Sequence, residues 1–209
     1  MAIVVIGGQS RSVGKTSIVA GIIAALPSYD WSAFKVTQFG HGRCSLHGQP
    51  CRCASEDHRF RISEEHDRTA KTDSSRFLAA GARRSFWVRT RQGRLAEAMP
   101  ALRKLLYEKD SGGNAIVESN SIVNYIRPDL YLTILDPATK DWKASALRLL
   151  ERADAIILHQ AAAGSPAGRI QSPPLPGRPI FSVQPPEYVT TEIICFLERR
   201  LQEQAKLSC

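Results

Sequence analysis

Apolar and polar residues fall in blocks along the chain, and the blocks read alternately as strands and helices. Residues 2–6 are all apolar and rich in β-branched side chains, the pattern of a strand buried on both faces. Residues 18–26 are apolar over a length that suits a buried helix. Residues 31–39 predict a second strand, with Phe34 and Val36 flanking Lys35, and residues 85–90 a third. Residues 73–82 predict a short helix capped near Thr72 or Asp73, and 95–107 an amphipathic helix that Pro100 could kink. Strands follow at 114–117, running into Glu118, at 130–135 before the Asp136-Pro137 turn, at 155–158 before His159-Gln160, and at 180–183. Between them 144–152 reads as a helix and 161–179 as a Gly-, Pro- and Ser-rich loop. A closing helix is predicted over 189–204, burying Ile193, Ile194, Phe196 and Leu197. Strands alternating with helices predict an α/β fold of three layers, a mainly parallel sheet flanked by helices. One stretch breaks the pattern. Residues 40–68 are polar, lack periodicity and hold four of the five histidines, which predicts a functional loop or insertion at about 40–70 in a single 1–209 domain.

The polar segment after the first strand is Gly7-Gly8-Gln9-Ser10-Arg11-Ser12-Val13-Gly14-Lys15-Thr16-Ser17. A buried strand, a glycine-bearing loop and a helix in this order form the phosphate-binding unit of P-loop NTPases. Backbone N–H groups around residues 12–15 can wrap a phosphate, and the helix N-terminus adds partial positive charge. Lys15 is placed to reach the β- and γ-phosphates, and the Thr16 hydroxyl to ligate Mg²⁺. The usual spacing puts the first glycine where Gln9 stands, so Gly8 comes one residue early. Glu118, an acid ending a buried strand, is the candidate Mg²⁺ partner opposite Thr16. Asn120 and Ser121 could extend its polar rim. Lys35 and Thr37 share one strand face by the period of two and could both face bound phosphate.

Composition sharpens this picture. The formal net charge is +8, and residues 59–104 carry 12 Lys or Arg against 5 Asp or Glu, favouring anionic ligands over a merely solvated face. No run is long enough to span a membrane. The N-terminal sequence lacks a signal-peptide pattern, which predicts a cytoplasmic protein. The basic stretch lacks interleaved aromatics, which argues against a nucleic-acid surface. The five cysteines suggest no disulfide framework; Cys195 reads as core and Cys209 as a free thiol. Cys44, Cys51 and Cys53 cluster with His41, His47 and His58, donors that suit Zn²⁺ or an iron–sulfur cluster, with His41 the candidate fourth ligand. Arg43 and Arg52 leave a redox-active thiol group as another reading.

Val13-Gly14-Lys15-Thr16 with its early Gly8 resembles the phosphate loop of dethiobiotin synthetase. The Asp73-Ser74-Ser75-Arg76…Ala80-Gly81-Ala82 stretch resembles the signature of the molybdopterin-guanine dinucleotide biosynthesis protein B family. Lys35-Val36-Thr37 and Val117-Glu118-Ser119 are similar to that family's Lys-x-Thr and Val-Glu-Gly stretches, in the same order, within the first 120 residues. The resemblance implies a dimer-prone GTP-binding protein that assists molybdenum-cofactor assembly, with Asp73 and Arg76 lining the nucleotide or Mg²⁺ site. Ser119 in place of glycine, Gln38 and Phe39 in place of histidines, and the cysteine loop all depart from the family pattern. No Asn-Lys-x-Asp guanine signature appears, so GTP and ATP both stay open.

The phosphate-loop residues and Glu118 lead to a Mg²⁺-dependent NTP hydrolase with Lys15 and Glu118 as catalytic candidates, and the resemblance implies Asp73 beside them and a role in metal-cofactor assembly. The nucleotide, a client metalloenzyme or cofactor-assembly protein, and a second copy of the chain are the expected partners. An ATP-dependent small-molecule synthetase or kinase of the dethiobiotin synthetase type is the alternative.

Overall fold

The structure, a computed structural model, describes residues 1–39, 59–108, 113–139, 143–160 and 177–207. Its strands are β1 (Ile3–Gly8), β2 (Ser32–Phe39), β3 (Phe60–Glu65), β4 (Arg84–Arg91), β5 (Ala115–Glu118), β6 (Leu130–Leu135), β7 (Ala155–His159) and β8 (Ile180–Val183). The helices are α1 (Lys15–Ala25), α2 (Asp73–Ala79), α3 (Leu95–Leu106), α4 (Ala144–Leu149) and α5 (Thr191–Leu207). Among the described residues these eight strands join one sheet in the order β3-β4-β2-β5-β1-β6-β7-β8, with β3–β4 the only antiparallel strand pairing.

Strand alternation divides the core between the two sheet faces. Val4 and Ile6 of β1 pack with Ile18 and Ile22 of α1, Phe77 of α2 and Ile193 and Leu197 of α5. Ile3 and Val5 point the other way, to Leu95, Met99 and Leu102 of α3 and to Leu149 of α4. The result is the three-layer α/β fold expected of a phosphate-loop protein. β1 lies between β5 and β6, so its C-terminal loop opens in the middle of the sheet. Ligands of parallel α/β sheets bind beyond the carboxyl ends of the strands, where this loop stands.

Three details differ from the sequence reading. The 40–68 stretch is not loop throughout, because residues 60–65 form β3 at the sheet edge. Only Phe60 and Ile62 of β3 are apolar and packed on the core, and the backbone pairing with β4 supplies the rest. Cys195 is exposed rather than core. Ile193, Phe196 and Leu197 take the buried side of α5, and at 100° per residue Cys195 falls opposite them. The 144–152 helix is α only to Leu149 and closes as a 3-10 turn over Leu150–Arg152. Helix α3 runs through Pro100, which faces solvent. Thr72 caps α2 by accepting the Ser75 N–H at 3.1 Å. Among the described residues no helix is long and apolar enough to cross a membrane.

Candidate functional site

The loop after β1 is built by side chains that bond its backbone. Asn120, just past β5, holds Gly8 on both sides: its Oδ1 accepts the Gly8 N–H at 2.7 Å and its Nδ2 donates to the Gly8 carbonyl at 2.9 Å. Gly7 leaves no space for a Cβ, which would strike Asn120 Oδ1 and the Tyr131 hydroxyl. Gln9 stands where the usual spacing has glycine, yet the left-handed residues of the loop are Ser12 (φ 57°) and Gly14 (φ 90°). Gln9 therefore needs no glycine freedom, and its side chain ties the loop to the turn after β6. Gln9 Oε1 accepts the Asp136 N–H at 2.8 Å and Nε2 donates to the Thr139 carbonyl at 3.0 Å. Ser10 is buried beside Gln9, Arg11 and Ser12 are exposed at the loop tip, and Val13 is buried beneath Gly8. Gly14 caps α1, with the Tyr188 ring lying where its Cβ would be. The first-turn N–H groups of α1 lack intrahelical acceptors and stay directed at the loop mouth.

Lys15 Nζ folds back onto the Ser10 carbonyl at 2.6 Å. Burial, reinforced by Lys143 and Lys35 against the pull of Glu118 and Asp73, lowers its pKa to about 8. One residue on, Thr16 Oγ1 donates to Glu118 Oε2 at 2.9 Å, and Glu118 is only 2 % exposed. Lys35, level with Glu118 on the neighbouring strand, sends Nζ to Glu118 Oε1 at 2.5 Å and to Asp73 Oδ2 at 2.7 Å. Burial works against this ammonium, but Glu118 and Asp73 outweigh it and raise its pKa above the ordinary lysine value. Arg76, one turn after Asp73 on α2, donates to Ser17 Oγ at 3.1 Å. Lys15, Thr16, Ser17, Lys35, Asp73, Arg76 and Glu118 thus come from four separated stretches to one place. The oxygen donors Thr16, Asp73 and Glu118 suit a hard divalent cation, and the two lysines suit phosphate.

Thr37 does not join them. Its Oγ1 accepts the Trp87 indole N–H at 2.8 Å, because Trp87 is the register neighbour of Lys35 and its N–H needs an acceptor. The Arg89 guanidinium lies 4.3 Å from the Trp87 ring centre. On the other side of the loop, His159 is buried at the end of β7 with Nδ1 4.0 Å from Asp136 and its ring edge-on to Tyr188. Burial lowers its pKa, with Asp136 acting in the opposite direction. An open cleft of about 850 Å³ continues from Ser17 and Arg76 along α1, past Gly21, to Tyr188, Val189 and Ile194. Sequence alone gives Asn120 only a rim position and shows neither the Gln9 clamp nor the place of Tyr188 against Gly14, because all three depend on contacts between distant stretches. Cys44, Cys51, Cys53 and His41 lie outside the described residues.

No protein-family profile matches the chain, and no curated protein matches its sequence. Solved structures resemble it in fold. LpxK from Aquifex aeolicus in complex with ATP superposes with a TM-score of 0.47 at 18% identity, over 87% of this chain and 53% of that one. HypB from Helicobacter pylori in complex with nickel gives 0.48 at 13% identity, over 100% and 88%. The signal recognition particle 54 kDa protein from Aeropyrum pernix K1 in complex with GDP gives 0.47 at 15% identity, over 99% and 50%. The chain spans about half the length of the first and third. None of the three assigns a chemistry to this chain.

Proposed function

We propose that this chain binds a nucleoside triphosphate with Mg²⁺, hydrolyses it, and thereby assists assembly of a metal cofactor of the molybdenum or iron–sulfur type. The convergence of Thr16, Asp73, Glu118, Lys15 and Lys35 at the mouth of a strand–loop–helix unit carries this reading. Lys15, with its depressed pKa, exchanges the Ser10 carbonyl for the β- and γ-phosphates, and loop residues 8–17 with their N–H groups cradle them. Thr16, Glu118 and Asp73 hold Mg²⁺, which when bound neutralises phosphate charge. Glu118 and Asp73 position that cation and the water beside it; Arg76 supports the start of α1 through Ser17. The assembly role, the homodimer and the client metalloenzyme rest on the resemblance of the motifs at 35–37, 73–82 and 117–119. Cys44, Cys51 and Cys53 with His41 are proposed on donor chemistry alone to hold an iron–sulfur cluster or zinc.

A second reading is transfer of phosphate from ATP to a small acceptor, in which Lys15, Lys35 and Mg²⁺ would stabilise the phosphoryl group. The two readings separate in one assay of the full chain. Labelled ATP and GTP are titrated with Mg²⁺, and turnover is followed with and without candidate acceptors. Acceptor-independent turnover supports the assembly factor, and turnover only with acceptor supports the transferase. No binding of either nucleotide sinks both. Metal analysis and the visible spectrum of anaerobically purified protein test the cysteine cluster; stoichiometric iron or zinc is expected.

A further inference from the structure

The oxygen atoms assigned above to a divalent cation already surround a cation. Lys35 Nζ stands 2.5 Å from Glu118 Oε1, 2.7 Å from Asp73 Oδ2 and 3.4 Å from Thr16 Oγ1. The contact to Thr16 is loose, and that hydroxyl is committed instead to the second Glu118 oxygen at 2.9 Å. Lys35 therefore fills the point where the three side chains meet. We propose that Lys35 is the resident cation of the nucleotide-free site, and that a divalent cation enters only when the phosphates of an incoming nucleotide draw the Lys35 ammonium off Glu118 and Asp73. This deepens the triphosphate-site reading and rests on it.

Space and charge both support the exchange. Ammonium-to-carboxylate distances of 2.5 and 2.7 Å leave no room for a second cation among the same oxygens. The cluster of Lys15, Lys35, Asp73 and Glu118 holds two ammonium and two carboxylate groups. A divalent cation arriving alone would leave two positive charges uncompensated beside the buried Glu118. A triphosphate brings the missing negative charge and gives both lysines a new partner. Lys35 carries its charge on a flexible four-carbon stem, so it can cross from the carboxylates to a phosphate without moving β2. A lysine that served only to neutralise buried Glu118 would stabilise the fold and leave metal and nucleotide binding uncoupled. A lysine that occupies the metal position couples them, because whatever it subtracts from cation affinity in the empty site is returned when nucleotide binds.

The test is a Mn²⁺ titration of the full chain followed by the electron paramagnetic resonance of free Mn²⁺, with and without a non-hydrolysable ATP or GTP analogue. Wild type is expected to bind Mn²⁺ weakly alone and tightly with the analogue. Lys35→Met, close in shape but uncharged, is expected to bind Mn²⁺ alone at least about tenfold more tightly than wild type. Mn²⁺ without nucleotide should also raise the Tm of Lys35→Met and not that of wild type. Should Lys35→Met fail to fold, Lys35→Gln keeps one hydrogen bond to the carboxylates and is expected to change in the same direction. Mn²⁺ binding to nucleotide-free wild type as tight as with the analogue overturns the proposal, and so does binding by the Lys35 variant within twofold of wild type. Wild type that binds the analogue while the variant gains nothing removes the Lys35 proposal alone. Wild type that binds neither analogue nor labelled nucleotide removes the function it rests on.

Discussion

Lys15 and Lys35 are the same group, both withdrawn from water and lining one site, and they are held in opposite ways. Lys15 rests on a single neutral acceptor, the Ser10 carbonyl, and burial with nearby positive charge lowers its pKa to about 8. Lys35 rests on two carboxylates, and its pKa is raised. The difference lies in the partner and not in the depth. Lys15 touches a neutral acceptor, with Glu118 and Asp73 acting on it only from a distance. Lys35 is fully paired and must be given a better partner before it leaves. On the proposed reading the loop half of the site receives phosphate, and the β2–β5–α2 half holds a cation that can be exchanged.

The comparison breaks most visibly at Lys15. Replacing Lys15 with alanine should weaken ATP or GTP binding by about 100-fold or more, since it removes the loop ammonium that meets only a neutral carbonyl. The Tm should hold or rise, because a poorly compensated buried charge has gone. Titration with labelled nucleotide and a melting curve check both, and equal affinity would remove the phosphate-loop assignment. Glu118→Gln acts on the other half. It should slow turnover by roughly tenfold to 100-fold while changing nucleotide affinity much less, because Glu118 positions the cation and water. Turnover that is unchanged across a magnesium titration would make Glu118 a structural acid.

A smaller effect sharpens the contrast by pH. The folded-state pKa of Lys15 lies below its unfolded value, so the ammonium is present below about 8 and bound phosphate must restore its proton above that. Affinity should be flat below pH 8 and fall by up to about tenfold per unit above it, with proton uptake visible as buffer-dependent binding heat. The paired Lys35 should add no step there, since its pKa is raised. A flat profile to pH 10 would mean that Lys15 keeps its proton in the nucleotide-free site. The smallest effect is expected at Thr37→Val, which strips the acceptor from the Trp87 N–H. It should cost about 1 kcal/mol of stability, read from urea melts, and leave nucleotide affinity unchanged. A loss of affinity there would place Thr37 in the site after all.

The chain's local pattern determined the strand–loop–helix unit, the alternation that makes a three-layer sheet, a cap near Thr72 or Asp73 and the identity of Lys15, Thr16, Lys35 and Glu118 as candidates. Those features depend on periods of two and 3.6 residues and on neighbours in sequence, which a sequence carries directly. Strand β3 was hidden because an edge strand with two partly buried apolar positions takes its stability from pairing with β4, which lies beyond α2 in the chain. Cys195 reads as core from sequence because an apolar helix shows which residues are oily but not which side meets the sheet. Why Gln9 is tolerated in a glycine place depends on backbone angles and on bonds to residues 136 and 139, more than 120 positions away. Asn120 reaches Gly8 over a similar gap. Most of all, the sequence named two lysines without distinguishing them. Only the tertiary structure decided that one would meet a carbonyl and the other two carboxylates, because counter-charge in a folded protein is set by which strands and helices stand side by side.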